Sequence, residues 1–186
     1  MKKVVLSLVL MASTLGLSDG FVVQFAQGVQ GKSVTVLLDG RIEHTFAGKM
    51  GFRSATGSWL SVCANIRKPI VEGQYYSARI RDTAAVGGNV ALAGNIVAKF
   101  FNRAHTPAQS AALQIAVWEA LEYGDSAMGP NSGSFQVRAD PEVLALAEEY
   151  YEGRKGPGHA NFMEPIEAQD QIGPQPDLGK DDTIPK

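Results

Sequence analysis

The sequence has few residues of the kinds that often reveal a function. Its 186 residues include one cysteine, Cys63, and three histidines, and the net charge is −2. One cysteine excludes an internal disulfide. The absence of a basic excess gives no reason to expect binding to nucleic acid or to an anionic membrane surface. The histidines and the cysteine show no metal-ligand spacing, so we expect no metal and no other cofactor.

Only the N-terminus contains a long apolar run. Lys2 and Lys3 precede an apolar segment at residues 4–17, and small residues lead to Asp19. This pattern predicts a secretory signal peptide over residues 1–18, because the run is short for a permanent membrane span. A retained N-terminal anchor is the alternative. We therefore expect an exported protein without a transmembrane span after signal removal.

Glycine is abundant, and the first half of the chain has the alternating pattern of strands. The dipeptide Asp39-Gly40 lies between two apolar runs, which predicts a hairpin. The glycines and small polar residues of segment 48–57 predict a loop. Predicted strands cover residues 21–26, 33–38, 41–46, 58–66 and 75–80, with a further short strand near Gln171 and Ile172.

The second half has helical spacing. Residues 89–103 predict a helix with Asn89 as N-cap, and residues 141–152 predict another between Asp140 and Gly153. Between them, Thr106, Pro107 and Gln109 form the signature of a capping box, and Gly124 is suited to the helix end. The segment from residue 156 onward is rich in proline and predicts a poorly ordered tail.

These elements predict an α+β fold. A β-rich part at residues 21–80, sheet-like or barrel-like, should pack against a small helical subdomain at residues 89–153. The domain itself would span residues 19–163, followed by a flexible tail at residues 164–186.

The stretch LQIAVWEAL, residues 113–121, contains an amide among apolar side chains. A helical wheel places Gln114 at the buried edge of this helix with Trp118 one turn further, and places Glu119 and Glu122 on the solvent side. A buried amide without partners costs about 1–3 kcal/mol, so a partner for Gln114 is expected.

The strand SVCANI followed by the helix LQIAVW resembles the bacterial thioester-domain family of exported surface proteins. By this resemblance Cys63 and Gln114 are the two halves of an internal thioester cross-link, separated by 114 − 63 = 51 residues. Trp118 matches the tryptophan of the helix motif and would shield the bond. Asn65, on the same strand face as Cys63, is a candidate donor to the thioester carbonyl oxygen. The cross-link would lie at the junction of the two parts of the fold.

The resemblance implies adhesion through covalent attachment rather than enzymatic turnover. An amine or hydroxyl on a host, cell-surface or matrix partner would attack the acyl group of Gln114. The partner would be a protein, glycan or polyamine.

Two alternatives belong to other classes. A non-covalent β-rich surface binding or structural module would lack the thioester or use it only for stability. A cysteine hydrolase would need His44, His105 or His159 as a base for Cys63, although no cysteine-protease signature surrounds this residue.

Overall fold

The computed structural model describes residues 21–55, 57–126 and 133–174. The signal-peptide prediction for residues 1–18 and the last part of the predicted tail, residues 175–186, lie outside them. The fold is α+β, as predicted, with an antiparallel sheet packed against helices. Its strands are β1 Phe21–Leu38, β2 Arg41–Ser54, β3 Gly57–Cys63, β4 Tyr75–Asp82, β5 Phe135–Arg138, β6 Asn161–Pro165 and β7 Gln171–Gly173. Its helices are α1 Thr83–Val86, α2 Gly88–Phe100, α3 Pro107–Tyr123 and α4 Pro141–Glu152, with a 3₁₀ turn at Phe101–Arg103.

The β1–β2 hairpin is longer than the sequence indicated. Asp39 and Gly40 form its turn with φ values of 50° and 79°, which confirms the predicted hairpin. The loop prediction for residues 48–57 was wrong over most of its length, because β2 continues to Ser54. Gly48 is needed there because a Cβ atom would lie 2.2 Å from the carbonyl oxygen of Gln30 on β1. The glycine thus permits close strand pairing rather than a loop.

Six strands form a closed hydrogen-bonded ring in the order β1–β2–β3–β7–β6–β4, and β4 pairs again with β1. The short strand β5 pairs with the other end of β1. The tail prediction was wrong for residues 164–173, because β6 ends at Pro165 and β7 fills the place between β3 and β6. The short strand predicted near residues 171 and 172 is confirmed as β7.

The helix starts differ in how well their caps were predicted. For α3 the capping box is confirmed, since the Thr106 hydroxyl accepts from the Gln109 N–H and the Gln109 side chain accepts from the Thr106 N–H. Asn89 was wrong as an N-cap, because α2 begins after Gly87 and the Asn89 amide donates to the Leu121 carbonyl instead. Asp140 precedes α4 without a side-chain capping bond and pairs with Lys32.

Helix α3 lies at the centre of the molecule. It packs against β1, β2 and β3 on one side and against α2 and α4 on the other. The wheel analysis was wrong about Glu119, which is fully buried, because α4 covers the face that was assigned to solvent. Gln114 is buried as well, at 0% exposure. The buried part of α3 therefore carries three polar side chains: Ser110, which bonds to Gln30 and to the Ala104 carbonyl, and Gln114 and Glu119, which need an explanation.

Candidate functional site

The site lies where β3 separates from β2. Paired residues of these strands extend only as far as Met50 and Ser61, so Cys63 has no partner on β2. On its other side β3 pairs with β7, and there the N–H of Ala64 donates to the Asp170 carbonyl. Since neighbouring residues of an antiparallel strand direct their main-chain groups to opposite sides, the N–H and C=O of Cys63 face away from β7.

The side-chain amide of Gln114 occupies the open position in the ladder. The Cys63 N–H donates to Gln114 Oε1 at 2.6 Å, and Gln114 Nε2 donates to the Cys63 carbonyl at 2.7 Å. The amide thus bonds to Cys63 as a paired strand residue would. Leaving such buried groups unpaired costs about 1–3 kcal/mol each, so this double contact both fixes the end of β3 and satisfies the glutamine. The partner that the sequence required for Gln114 is the residue bearing the lone cysteine.

The Cys63 thiol is closed off from solvent at 1% exposure. Burial raises the pKa of Cys63 to about 12, against smaller opposing effects of the Trp118 indole and the Asn65 backbone N–H. Asp170 raises this pKa slightly further by its negative charge. At neutral pH the side chain is therefore a neutral thiol, on the residue whose main chain binds the Gln114 amide.

Trp118 lies beside the thiol with 2% of its surface exposed. Its ring meets Phe135 of β5 edge to face, at 6.3 Å between ring centroids. The indole thus packs against both the thiol and β5, and the shielding role that the motif implied stays a prediction.

The Asn65 side chain makes contacts on the other side of the strand end. Its Nδ2 donates to the Asp170 carboxylate at 3.1 Å and its Oδ1 accepts from the Arg67 N–H at 3.1 Å. The structure therefore brings together Cys63, Gln114 and Trp118, whereas Asn65 approaches the sulfur with its backbone N–H rather than with its amide.

The sequence analysis missed a second carboxamide at the site. Gln171 on β7 pairs with Cys63 across the strands and is fully buried. Because Cys63 directs its main-chain groups toward Gln114, the two residues form a non-hydrogen-bonded pair, in which side chains share a face and lie close together. The Gln171 amide accepts from Ser61 Oγ at 3.0 Å and donates to Gln169. The sequence around Gln171 is short and lies in a proline-rich region, so it predicted a strand but not a residue of the site.

The three histidines have contacts away from Cys63. His44 Nδ1 is 3.0 Å from Thr35 Oγ1, His159 Nδ1 is 3.1 Å from Asp82, and the backbone N–H of His105 donates to Gln109 Oε1. Within the part of the chain that the structure describes, no three His, Cys, Asp or Glu residues are grouped as a metal site would require. Over the same residues, none of the helices has the length and apolar character needed to cross a membrane.

Comparisons with protein-family models, with curated proteins and with solved structures gave no match to this chain. The geometry of the site therefore carries the functional argument.

Proposed function

We propose that this chain is an exported protein in which Cys63 and Gln114 form an internal thioester, used for covalent attachment to an amine or hydroxyl on a surface partner. The observation that carries the proposal is the double hydrogen bond between the Gln114 amide and the main chain of Cys63. It holds the only thiol of the chain beside a buried primary carboxamide on two rigid elements. Such positioning is what converts an inert pair of groups into a reactive one.

Bond formation is a condensation of thiol and amide. The Cys63 sulfur attacks the Gln114 carbonyl carbon, the C–N bond breaks, and the amide nitrogen leaves as ammonia with the thiol proton. The Cys63 N–H that donates to Oε1 in the resting state also stabilises the negative charge that develops on this oxygen. Burial of the pair keeps competing water away from the acyl group.

The product is an activated acyl group that a nucleophile can take. An amine on a protein or polyamine, or a hydroxyl on a protein or glycan, would attack the Gln114 carbonyl and release Cys63 as a thiol. One covalent event consumes the bond, so the protein acts as a single-use linker rather than as a hydrolase. A hydrolase would need a base beside Cys63, and the rings of His44 and His159 contact Thr35 and Asp82 instead.

Intact mass spectrometry of the purified protein tests the proposal. The thioester form has a mass one ammonia below that of the processed sequence, and the thiol resists alkylation. The deficit must disappear in Cys63→Ala and in Gln114→Leu. Full mass with an alkylable thiol after unfolding would refute the thioester. Incubation with methylamine should then add one methylamine to the protein, which leaves a methylamide on Gln114 and frees the Cys63 thiol.

Gln171 supplies the matched control for the acyl donor. Its carboxamide is also buried next to Cys63, but it is bonded to Ser61 and Gln169 rather than to the Cys63 main chain. Gln171→Leu should therefore keep the ammonia deficit. Loss of the deficit in this variant but not in Gln114→Leu would transfer the acyl role to Gln171.

A second candidate function follows from the same double hydrogen bond. An amide whose donor and acceptor are both satisfied is also a stable structural element, and a non-covalent surface binding or structural module needs nothing more of it. In this case the mass is full, the thiol becomes alkylable only on unfolding, and methylamine leaves the protein unchanged.

A further inference from the structure

One buried donor at the site has no acceptor. Trp118 Nε1 is shielded from solvent and makes no hydrogen bond to any described residue. Buried indole N–H groups usually find a partner, since leaving one unpaired costs free energy. Trp118 is one helical turn beyond Gln114 on α3, so its ring stands beside the amide that binds Cys63.

The candidate acceptor for this donor is the Cys63 sulfur, with which the Trp118 side chain interacts. A side-chain contact of the indole N–H with the thiol lowers the pKa of Cys63, so this N–H lies near the sulfur, although the contact does not reach the geometry of a well-formed hydrogen bond. Thiols are weak acceptors and thiolates are strong ones. The indole N–H therefore has only a weak acceptor in the resting state. It gains a strong acceptor when negative charge collects on the sulfur.

Charge collects on sulfur when the thioester is cleaved. As the nucleophile's nitrogen bonds to the Gln114 carbonyl carbon, the C–S bond breaks and its electron pair moves to Cys63 Sγ, which then takes the proton that the amine loses. In this apolar surrounding an unassisted thiolate is a poor leaving group, because burial disfavours the charged form.

We propose that the Trp118 indole N–H is a catalytic donor to the departing Cys63 sulfur, beyond its packing as a shield over the bond. This inference rests on the proposed thioester. A donor role requires the indole N–H, whereas a shield needs only an aromatic ring of the right size.

Trp118→Phe separates the two roles, because phenylalanine keeps an aromatic ring and removes the N–H. The ammonia deficit should remain, and the rate of reaction with methylamine should fall by about 3- to 10-fold, the effect of one hydrogen bond. The control is Trp59→Phe, which alters the second tryptophan of the chain, on β3 and stacked on Phe52. This variant should react at the wild-type rate.

The outcomes distinguish the inference from the proposed function. If wild type shows no ammonia deficit, both fail. If wild type has the deficit and Trp118→Phe reacts at the wild-type rate or faster, the thioester stands and the donor role is wrong. A faster reaction would also show that the ring acts only as a shield.

A second variant covers the case in which Trp118→Phe does not fold. In the Trp59→Phe background, Trp118 is the remaining tryptophan of the chain and can be replaced by 3-benzothienylalanine, which keeps the bicyclic ring and removes only the N–H. The ammonia deficit should remain, and the rate of reaction with methylamine should fall by about 3- to 10-fold relative to Trp59→Phe, the effect of one hydrogen bond. An unchanged or faster rate would overturn the donor role.

Discussion

Gln114 and Glu119 lie five residues apart on α3, and both are fully buried, yet the fold treats them in opposite ways. The amide of Gln114 hydrogen-bonds to the N–H and C=O of Cys63, at the end of β3 that no longer pairs with β2. The carboxyl of Glu119 has no hydrogen-bond partner for either oxygen among the described residues. Burial raises the pKa of Glu119 to about 8, and Arg154 lowers it only in part.

The difference teaches what a central helix requires of its polar residues. A buried polar group is stable where a neighbouring element leaves main-chain groups open, and such openings occur at strand ends and at divergences. Where no opening exists, an acid avoids the cost of a buried charge by staying protonated. The hydrogen bonds of Gln114 thus offset the cost of burying its amide, whereas Glu119 lowers its burial cost only by staying neutral.

The largest effect that tests this comparison is expected from Gln114→Leu. The side chain keeps similar volume, but the Cys63 N–H and C=O lose their partners. At about 1–3 kcal/mol for each of the two buried groups, the free energy of unfolding in urea denaturation should be about 2–6 kcal/mol lower than in Cys63→Ala, in which no thioester can form and the Gln114 amide is intact. Cys63→Ala leaves the main-chain bonds in place and removes the same thioester. It should therefore cost clearly less, and equal losses in the two variants would mean that the main-chain contacts contribute little.

The next effect concerns Glu119 and depends on pH. The folded pKa is raised from 4.5 to about 8, so the contribution of the neutral acid is fully present below pH 4.5 and is lost as pH rises through about 8. Glu119→Gln keeps the shape and stays neutral. It should leave stability near pH 4.5 unchanged and raise the free energy of unfolding at pH 9 by a few kcal/mol, since each unit of pKa shift corresponds to about 1.4 kcal/mol.

Measuring wild type and Glu119→Gln in parallel from pH 4.5 to 9 cancels the other titrating groups near α3. These include Arg154, Glu148 and Glu152, whose charges act on Glu119. A pH-independent difference between the two proteins would show that Glu119 is ionised in its buried position.

The sequence predicted those parts of the molecule that depend on local rules. The capping box at Thr106 and the turn at Asp39-Gly40 are set by neighbouring residues and were confirmed. The closeness of Cys63 and Gln114 was implied by the resemblance of their motifs to the thioester-domain family, and the hydrogen bonds between the two residues show that they are close.

The parts that depend on distant pairing were wrong or missed. Gly48 looked like a loop residue because its role, the close approach to Gln30, is visible only when β1 is beside it. Strand β6 was missed because it is too short to show alternation, and it gains its stability by pairing with β4. Glu119 was assigned to solvent because a charged residue normally marks the exposed face, and no local pattern announces that α4 covers it.

The smallest effect completes the comparison with a third polar residue of α3. Glu122, near the surface, pairs with Arg67, which also bonds to Asp39 at the hairpin turn. Ion pairs at the surface contribute about 0–1 kcal/mol, and here the Arg67 side chain is 42% exposed, so water and salt screen its charge even though Glu122 is only 19% exposed. Arg67→Ala should therefore lower the free energy of unfolding by less than about 1 kcal/mol, and the loss should shrink further in high salt. A salt-independent loss as large as that of Gln114→Leu would contradict the ranking. It would mean that the loop after Cys63, and not the Gln114 amide, holds the end of β3 in place.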